Sequence, residues 1–318
     1  MLAHIYTQYG GPDVLRQVEI PTPTPKDDEI LVRICATTVS SGDWRVRSLT
    51  LPPGFGILGR LMFGIFGPRK PILGTDFSGV VEATGTDVTK YNPGDEVVGF
   101  PGESLGAHAE YITMKETGMV TPKPSNLTHK EAVAILFGGM TAYDFLYNRT
   151  KINPNEKVLI NGASGSVGTA CVQMAKSLGA TVTGVCSAKN AKLVRSLGAD
   201  HVIEYQKTDV VTEGHSYDLI VDTASTLSWK KARQILKPNG RLIGIFCSAR
   251  DMFFANFSAR RENKQFIAGA AKETPEILQA VMELASQKKI QSVIDSCYTF
   301  DQMVEAHRRV DTGRNVGS

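Results

Sequence analysis

The chain has 318 residues, of which 42% are hydrophobic, enough to bury a large core and to suit two domains rather than one. Its net charge of +3 is small and evenly spread along the sequence, which argues against a nucleic acid or an anionic membrane as partner. The five cysteines stand singly in apolar runs without a C-x-x-C pair, so they indicate buried thiols in a reducing compartment rather than disulfides or a structural zinc site.

The N-terminus has no charged region followed by an apolar region, so no secretory signal is recognisable. No apolar run approaches the roughly 18 residues that span a bilayer. We therefore expect a cytoplasmic protein without a membrane span.

Short strands and turns dominate the sequence up to residue 120. A stiff proline-rich linker at 21–25 precedes the first of them. The predicted strands are 29–36, 77–83, 95–100 and 109–114. The hydrophobic period then changes, and helices are predicted at 129–134 and 140–148.

A glycine-rich turn at 161–168 is the most informative feature of the chain. An apolar strand at 158–160 leads into it, a helix follows through 175, and a second strand at 181–186 completes a βαβ unit. Such a turn presents free backbone N–H groups and the positive end of a helix dipole, which suit the pyrophosphate of a dinucleotide. Ala163 replaces the first glycine of the strict motif, and this departure is mild because Gly162 precedes it.

The end of the second strand favours NADP(H) over NAD(H). An NAD site usually carries Asp or Glu about 20 residues after the glycines, where it binds the ribose 2′-OH. Here the strand ends in Ser187, Lys189 and Asn190 with no carboxylate, and these side chains can hold a 2′-phosphate. Lys189 and Lys192 can also be solvated lysines at a helix start, and Lys192 suits that alternative better.

Strands and helices alternate through the rest of the chain, which predicts a parallel sheet covered on both faces. An amphipathic helix is predicted at 274–288. A strand at 293–300 and a helix at 301–310 are expected to return to the first domain. The other predicted strands are 201–205, 219–223, 241–246 and 265–269.

Four motifs around the glycine-rich turn resemble the medium-chain dehydrogenase/reductase superfamily, and the resemblance covers nearly the whole chain. It implies an α/β fold, in which a Rossmann doubly wound parallel sheet domain at 121–288 joins a β-rich GroES-like catalytic domain formed by 1–120 with 289–318. The motifs are Gly74-Thr75-Asp76-Phe77-Ser78-Gly79-Val80-Val81, Asn92-Pro93-Gly94-Asp95-Glu96-Val97, Gly139-Met140-Thr141-Ala142-Tyr143 and Leu197-Gly198-Ala199-Asp200-His201-Val202-Ile203.

The metal positions of that superfamily are altered in this chain. Where zinc alcohol dehydrogenases have Cys, His and a further Cys, it has Ser40 or Ser41, Thr75 and Phe137, none of which supplies a thiolate or an imidazole. The four-cysteine lobe for structural zinc is absent too. The chain therefore resembles the zinc-independent quinone oxidoreductase-like branch, which implies no bound metal.

This resemblance implies an enzyme that uses NADPH to reduce quinones or the C=C bond of α,β-unsaturated carbonyls. Conjugation already makes the accepting carbon electrophilic, and the negative charge that reaches the carbonyl oxygen needs a donor. No proton donor is evident in the sequence, so a non-catalytic NADPH-binding protein with a structural or regulatory role is the alternative. A small hydrophobic carbonyl or quinone substrate is the expected partner.

The resemblance places the substrate cleft at Ser40, Asp43, Trp44 and Phe137. Ser40 stands where the family often has Asn, so a smaller hydroxyl replaces the amide donor. An equal alternative is that Asp43 forms an internal ion pair with Arg47. Trp44 is a better candidate for packing than for stacking on substrate, and Phe137 can also be plain core.

The expected contacts to NADPH come from the glycine-rich turn, from the ends of the parallel strands and from the helix before the turn. These residues are Thr141, Asn161, Ala163, Ser164, Gly165, Ser166, Val167, Ser187, Lys189, Asn190, Tyr205, Thr223, Ile245 and Phe246.

Residues 51–68 are unusually apolar for a loop. They are interpreted as a wall or lid over a hydrophobic substrate, because they lie between two cleft elements. A short helix on the first domain and a dimer contact are the alternatives.

The sequence stops at Ser318, where the family continues through Gly-Lys into a final apolar strand. If the protein ends there, one edge of the first domain is left unpaired. We therefore expect either a homodimer that covers this edge or a natural chain that is longer.

Overall fold

The structure is a computed structural model that describes residues 1–318. Its strands form three sheets, one of them a two-stranded antiparallel pair of β1 and β2. The strands are β1 Leu2–Ile5, β2 Arg16–Glu19, β3 Glu29–Thr37, β4 Phe77–Thr84, β5 Glu96–Gly99, β6 Tyr111–Lys115, β7 Val120–Pro122, β8 Lys157–Asn161, β9 Thr181–Cys186, β10 His201–Glu204, β11 Tyr217–Asp222, β12 Leu236–Gly244 and β13 Gln265–Ala268.

The α-helices lie between and after these strands. They are α1 Ser41–Ser48, α2 Gly56–Phe63, α3 His129–Tyr143, α4 Ser166–Ser177, α5 Ala191–Ser196, α6 Trp229–Ile235, α7 Ala249–Arg261, α8 Pro275–Ser286 and α9 Met303–Asp311. None of them combines the length and the hydropathy that a membrane crossing requires.

The first large sheet is antiparallel, with strand order β6-β3-β4-β5-β7. Alternate residues of its strands point inward, because side chains on a strand face opposite sides in turn. Ile30 and Val32 of β3 pack in this way against Phe77 and Val81 of β4 in one small core. The predicted β-rich part of the fold is confirmed.

The second large sheet is parallel, with strand order β10-β9-β8-β11-β12-β13. Its strands are almost continuously apolar because helices cover both faces, and two separate clusters of buried side chains lie on the two faces. The order reverses between β8 and β11, which creates the crevice where doubly wound sheets bind ligands. The predicted α/β class is confirmed, whereas the division at residues 120 and 288 stays a prediction.

Helix α3 is continuous where the sequence predicted two helices, and it runs on through a π-helical turn at Asp144–Thr150. The gap between the two predicted helices, 135–139, contains Gly138 and Gly139. A Cβ atom at 138 would lie 2.3 Å from the Ser166 carbonyl oxygen, and one at 139 would lie 2.9 Å from Val281. These glycines therefore allow neighbouring helices to approach α3, and the prediction of a break was wrong.

The predicted strand at 293–300 is also wrong, because this segment is not part of any sheet and its last residue begins a short 3-10 helix. Apart from a local bond at Thr299, its backbone–backbone bonds are with the last residue: Ser318 N–H donates to Val293 O and Asp295 N–H donates to Ser318 O, at 2.9 and 2.8 Å. A strand needs a partner along its length, and the chain offers one over too short a stretch.

The cysteines are all unpaired, and the expectation that all are buried is wrong for three of them. Cys171 and Cys186 are buried, and burial raises the pKa of Cys186 to about 11. Cys247 is half-buried, and Cys35 and Cys297 are exposed.

Candidate active site

The glycine-rich turn lies between β8 and α4. Two of its positions require glycine, because a side chain there would clash with neighbouring atoms. Gly162 has φ of 82°, and a Cβ there would lie 2.6 Å from Thr223 Oγ1. A Cβ at Gly168 would lie 2.1 Å from the Gly162 carbonyl oxygen, so α4 can approach β8 only without a side chain. Gly165 differs, because its Cβ would meet nothing closer than 3.7 Å.

Helix α4 begins at this open position. Gly165 is the N-cap residue and has no side chain to accept a hydrogen bond from the first turn. The N–H groups of the first turn therefore have no side-chain acceptor at the cap, which suits donation to an anionic ligand at the positive end of the helix. This open, small-residue cradle fits the pyrophosphate of a dinucleotide.

The last two residues of the sequence lie against the same turn. Gly317 N–H donates to Ser164 O at 2.9 Å, and the hydroxyl oxygens of Ser166 and Ser318 are 2.9 Å apart.

The end of β9 brings Ser187, Lys189 and Asn190 beside the turn. The Asn190 amide donates to Ser164 Oγ at 2.9 Å, which connects the two segments. Ser187 is buried, and Lys189 is exposed. No Asp or Glu stands between Cys186 and Asp200, so this edge lacks the carboxylate that would bind an unphosphorylated ribose.

Two other predicted cofactor residues use their polar atoms inside the protein. Asn161 Nδ2 donates to Asp222 Oδ1 at 2.8 Å and to Thr226 Oγ1 at 2.9 Å. Thr223 Oγ1 donates to the Asn161 carbonyl oxygen at 2.9 Å. Burial raises the pKa of Asp222. This network joins the ends of β8 and β11 and thereby shapes the turn.

The remaining predicted contacts come from other elements. Tyr205 follows β10 and is 59% exposed. Ile245 and Phe246 follow β12 and are half-buried. On α3, Thr141 Oγ1 donates to the Phe137 carbonyl oxygen at 3.0 Å, so its hydrogen already has an acceptor.

Ser40 and Asp43 form the N-terminal cap of α1. Ser40 Oγ accepts from the N–H groups of Gly42 and Asp43 and lies 2.7 Å from Asp43 Oδ2, to which it donates. Asp43 Oδ1 accepts from Gly74 N–H at 2.9 Å. Because the Ser40 hydrogen is already donated, this residue holds the cleft helix in place without offering a free donor to a substrate.

The alternative of an Asp43–Arg47 ion pair is wrong. Arg47 is fully buried, and its NH2 lies 2.7 Å from both carboxylate oxygens of Asp311 on α9. Its NH1 lies 2.8 Å from His307 Nδ1. Burial, with His108 and Arg47 nearby, lowers the pKa of His307 well below its usual range, so this ring is neutral and accepts from Arg47. The cluster fastens α1 to α9.

Arg45 is the cation in this region that has no ion-pair partner. Its guanidinium carbon lies 3.4 Å from the ring centroid of Phe246 and 5.7 Å from that of Trp44. Its Nε is buried without a hydrogen-bond partner, and burial lowers the pKa of Arg45 to about 10. The side chain therefore carries its charge at neutral pH, at the point where α1 faces the carboxyl end of β12.

Phe137 lies beside the start of α1. Its ring is close enough that a Cβ atom at Gly42 would meet it at 3.2 Å. The half-buried ring also packs on the large core under the parallel sheet. Phe137, Trp44 and Arg45 thus belong to the region where α1 meets α3 and the end of β12.

The residues at the zinc positions do not fit a zinc ion. Thr75 Oγ1 is buried without a hydrogen-bond partner, and the other positions carry the hydroxyls of Ser40 or Ser41 and the ring of Phe137. No group of three His, Cys, Asp or Glu side chains is placed to hold a metal ion.

A cavity of about 560 Å³ lies outside this region, between β3, α3 and residues 294–301. None of the predicted cofactor or cleft residues lines it.

Comparison with known proteins assigns the chain to a family. Residues 26–125 match the family model described as alcohol dehydrogenase GroES-like domain, and residues 197–318 match zinc-binding dehydrogenase. A quinone-oxidoreductase homolog, chloroplastic, from Spinacia oleracea is 31% identical over 98% of this chain and 95% of its own length. The chain belongs to the quinone oxidoreductase-like branch of the medium-chain dehydrogenase/reductase superfamily.

Solved structures agree with membership of the quinone oxidoreductase-like branch. The quinone oxidoreductase from Coxiella burnetii has a TM-score of 0.87 and 26% identity, covering 100% of this chain and 97% of its own. The Escherichia coli quinone oxidoreductase complexed with NADPH has a TM-score of 0.83 over 100% and 98% of the two chains, and at 24% identity it shows the fold alone. Membership supports an oxidoreductase that uses NADH or NADPH.

Sequence reasoning missed the roles of Arg45 and Arg47, although both were visible beside the predicted cleft. Their partners, Phe246 and Asp311, lie far along the chain, and no local spacing connects them. For the apolar segment 51–68, the interpretation as a short helix is confirmed by α2.

Proposed function

We propose that this chain is an NADPH-dependent reductase of quinones or of the C=C bond of α,β-unsaturated carbonyls, and that it works without a metal. The observation that carries the proposal is the Arg45 guanidinium, which has no ion-pair partner and lies on the Phe246 ring. It stands beside the parallel sheet whose strand β8 leads into the glycine-rich turn. The names of the relatives, as quinone oxidoreductases, support the substrate class.

When bound, NADPH supplies a hydride to the electrophilic carbon of the conjugated substrate. The electron pair displaced from the double bond moves onto the carbonyl oxygen, which then takes a proton from water. Arg45 would neutralise the charge on that oxygen, since a preorganised cation in a water-poor cleft is an effective stabiliser of such a charge. Ser40 and Asp43 keep α1, and with it Arg45, in position.

Turnover of a panel of quinones and enones with NADPH tests the proposal. We expect NADPH oxidation that depends on the added acceptor. Tight NADPH binding without turnover of any acceptor would favour the non-catalytic alternative.

Removing the charge of Arg45 should lower kcat by about 100-fold, the usual size for one stabilising donor. Arg45→Met keeps the length and the packing on Phe246 but loses the charge. We expect an unchanged Kd for NADPH, and partial recovery of kcat in Arg45→Lys. Steady-state kinetics with a soluble quinone measure the effect, and an unchanged kcat in Arg45→Met contradicts the assigned role.

NADPH should bind at least about tenfold more tightly than NADH, a difference of roughly 1.4 kcal/mol. The reason is that Ser187, Lys189 and Asn190 replace the acidic residue of an NAD site. Titration of both cofactors measures the preference. Lys189→Glu should weaken NADPH alone, Lys192→Glu is the matched control, and equal affinities in the unmodified protein would refute the preference.

Chelators should leave the turnover rate unchanged, and the purified protein should contain no stoichiometric zinc. The chain offers hydroxyls and a phenyl ring where zinc ligands would stand. Metal analysis and activity after chelation check this expectation. Activity lost on chelation and regained with zinc would reverse it.

We also propose a homodimer, since β6 and β13 each leave one edge of a large sheet without a paired strand. The molar mass of the protein in solution tests whether it is a dimer. The cytoplasmic location is likewise a proposal, and the Spinacia oleracea relative is named chloroplastic.

A further inference from the structure

Helix α2 and the turn after it place a row of large apolar side chains in solvent. Ile57 is 82% exposed and Phe66 is fully exposed. Tyr9 Oη donates to the Gly64 carbonyl oxygen at 2.9 Å, which holds this segment on the surface. The exposed apolar residues of the segment are Ile57, Leu58, Leu61, Met62, Ile65 and Phe66.

Helix α7 adds three exposed aromatic rings. Phe253 is 73% exposed, and Phe254 and Phe257 are nearly 60% exposed. Phe253 and Phe254 contact each other edge to face, with ring centroids 5.5 Å apart. Solvent-exposed rings in such a number are costly unless another surface covers them.

The two segments meet. Ala249 N–H, at the start of α7, donates to the Pro53 carbonyl oxygen at 3.2 Å, and a Cβ at Gly54 would lie 2.9 Å from Ala249 Cβ. A shallow depression lined by Pro53, Gly54 and Phe254 joins them. We call the exposed apolar side chains of α2, its following turn and α7 together the apolar face.

Cations surround the apolar face. Residues 51–70 contain Arg60, Arg69 and Lys70 and no acidic residue. Helix α7 contains Arg250, Arg260 and Arg261 with a single acid, Asp251. None of these six cations takes part in an ion pair.

Two of these cations lie directly over the exposed rings. The guanidinium carbon of Arg250 is 5.7 Å from the Phe254 ring centroid, and that of Arg261 is 4.2 Å from the Phe257 centroid. The whole chain has a net charge of only +3, so these two segments hold more than the entire excess of positive charge. The even spread of charge along the sequence argued against an anionic membrane. On the folded surface the charge is not evenly spread, because these cations lie together.

We propose that the apolar face docks onto an anionic lipid surface, with its rings among the acyl chains and its arginines at the headgroups. Apolar side chains flanked by cations are what interfacial membrane helices present. A second copy fits less well, because a two-fold contact through this face would bring its unpaired cations close to their own symmetry mates.

The apolar face also borders the candidate cleft. Ala249, which contacts Pro53, follows Phe246 by three residues. The Arg45 guanidinium lies over the Phe246 ring. A lipophilic substrate dissolved in the bilayer would therefore enter the cleft beside the docked surface. The entry route of the substrate rests on the proposed function. The docking of the apolar face onto a lipid surface does not depend on it.

Sedimentation of the full chain with lipid vesicles tests the docking. We expect binding to phosphatidylcholine vesicles that contain phosphatidylglycerol, weak binding to pure phosphatidylcholine, and partial release by salt. Phe253→Ser/Phe254→Ser/Phe257→Ser should reduce vesicle binding by about tenfold or more. Arg250→Glu/Arg261→Glu should abolish the preference for anionic vesicles.

The matched control is Ile294→Ser/Lys192→Glu, which changes an apolar and a cationic side chain outside the apolar face. It should bind vesicles as the unmodified chain does. Turnover of a water-soluble quinone without vesicles should be equal in all variants, which separates failed docking from failure of the proposed function. The proposal is overturned if the unmodified chain does not bind vesicles, or if every variant binds them equally. It is also overturned if the serine variant loses a dimer and no form of the chain binds vesicles, because the apolar face would then be a contact between copies.

Discussion

Gly165→Asp should lower the affinity for NADPH by about 1000-fold, or roughly 4 kcal/mol, without unfolding the protein. Gly165 has φ of −80° and ψ of 172°, which every residue tolerates. Its Cβ position is open, so the carboxylate causes no clash within the protein. The new side chain occupies the N-cap of α4. Its carboxylate accepts hydrogen bonds from the N–H groups that would otherwise bind the pyrophosphate, and it repels the charge of the pyrophosphate.

The same substitution should stabilise the cofactor-free protein. An Asp at an N-cap is more stabilising than Gly by a few tenths of a kcal/mol, and its charge also interacts favourably with the helix dipole. We therefore expect the melting temperature to hold or rise while binding is lost, and this combination distinguishes a binding defect from a folding defect.

Gly165→Asn is the matched control, because it has nearly the same shape and caps the helix without a charge. It should retain more NADPH affinity than Gly165→Asp, as measured by titration calorimetry. Undiminished binding in a folded Gly165→Asp protein would mean that the pyrophosphate does not lie at this turn.

Arg47→Met should destabilise the protein by about 3–5 kcal/mol, the usual cost of removing one partner from a buried ion pair. The substitution leaves Asp311 without its bidentate partner and removes the donor to His307 Nδ1. It also frees the Gly10 carbonyl oxygen, to which Arg47 Nε donates at 3.2 Å. Denaturant unfolding measures the change.

Arg45→Met provides the contrast, two residues earlier on the same helix. Arg45 has no ion pair to lose, so its substitution should change the free energy of unfolding by far less. A double-mutant cycle of Arg47→Met with Asp311→Asn should show strong coupling. If Arg47→Met were no more destabilising than Arg45→Met, the buried cluster would not be the link between α1 and α9.

The sequence predicts the parallel sheet well because its strands are short apolar runs bounded by turns. For β9 the predicted and observed bounds agree at 181–186. The glycine-rich turn was equally accessible because its strand, its small residues and its helix follow one another in the sequence, although the contact that requires Gly162 comes from Thr223. Local pattern and local structure coincide in both cases.

Predictions failed where a distant partner decided the outcome. Two helices were predicted at 129–134 and 140–148, yet α3 is continuous, and Ser166 and Val281 approach it closely at the two glycines in the predicted gap. Residues 293–300 had the composition of a strand without a neighbour of sufficient length. Arg47 and Asp311 are 264 residues apart, so no spacing rule could pair them.

The close approach at Gly138 has an evolutionary consequence. Any side chain at this position must push the Ser166 carbonyl, and with it the first turn of α4, away from its place. The residue at position 138 therefore affects the geometry of the glycine-rich turn, although it lies on a different helix. A genetic screen for lost cofactor affinity should recover position 138 together with the turn itself, and a library that alters cofactor preference should leave it as glycine.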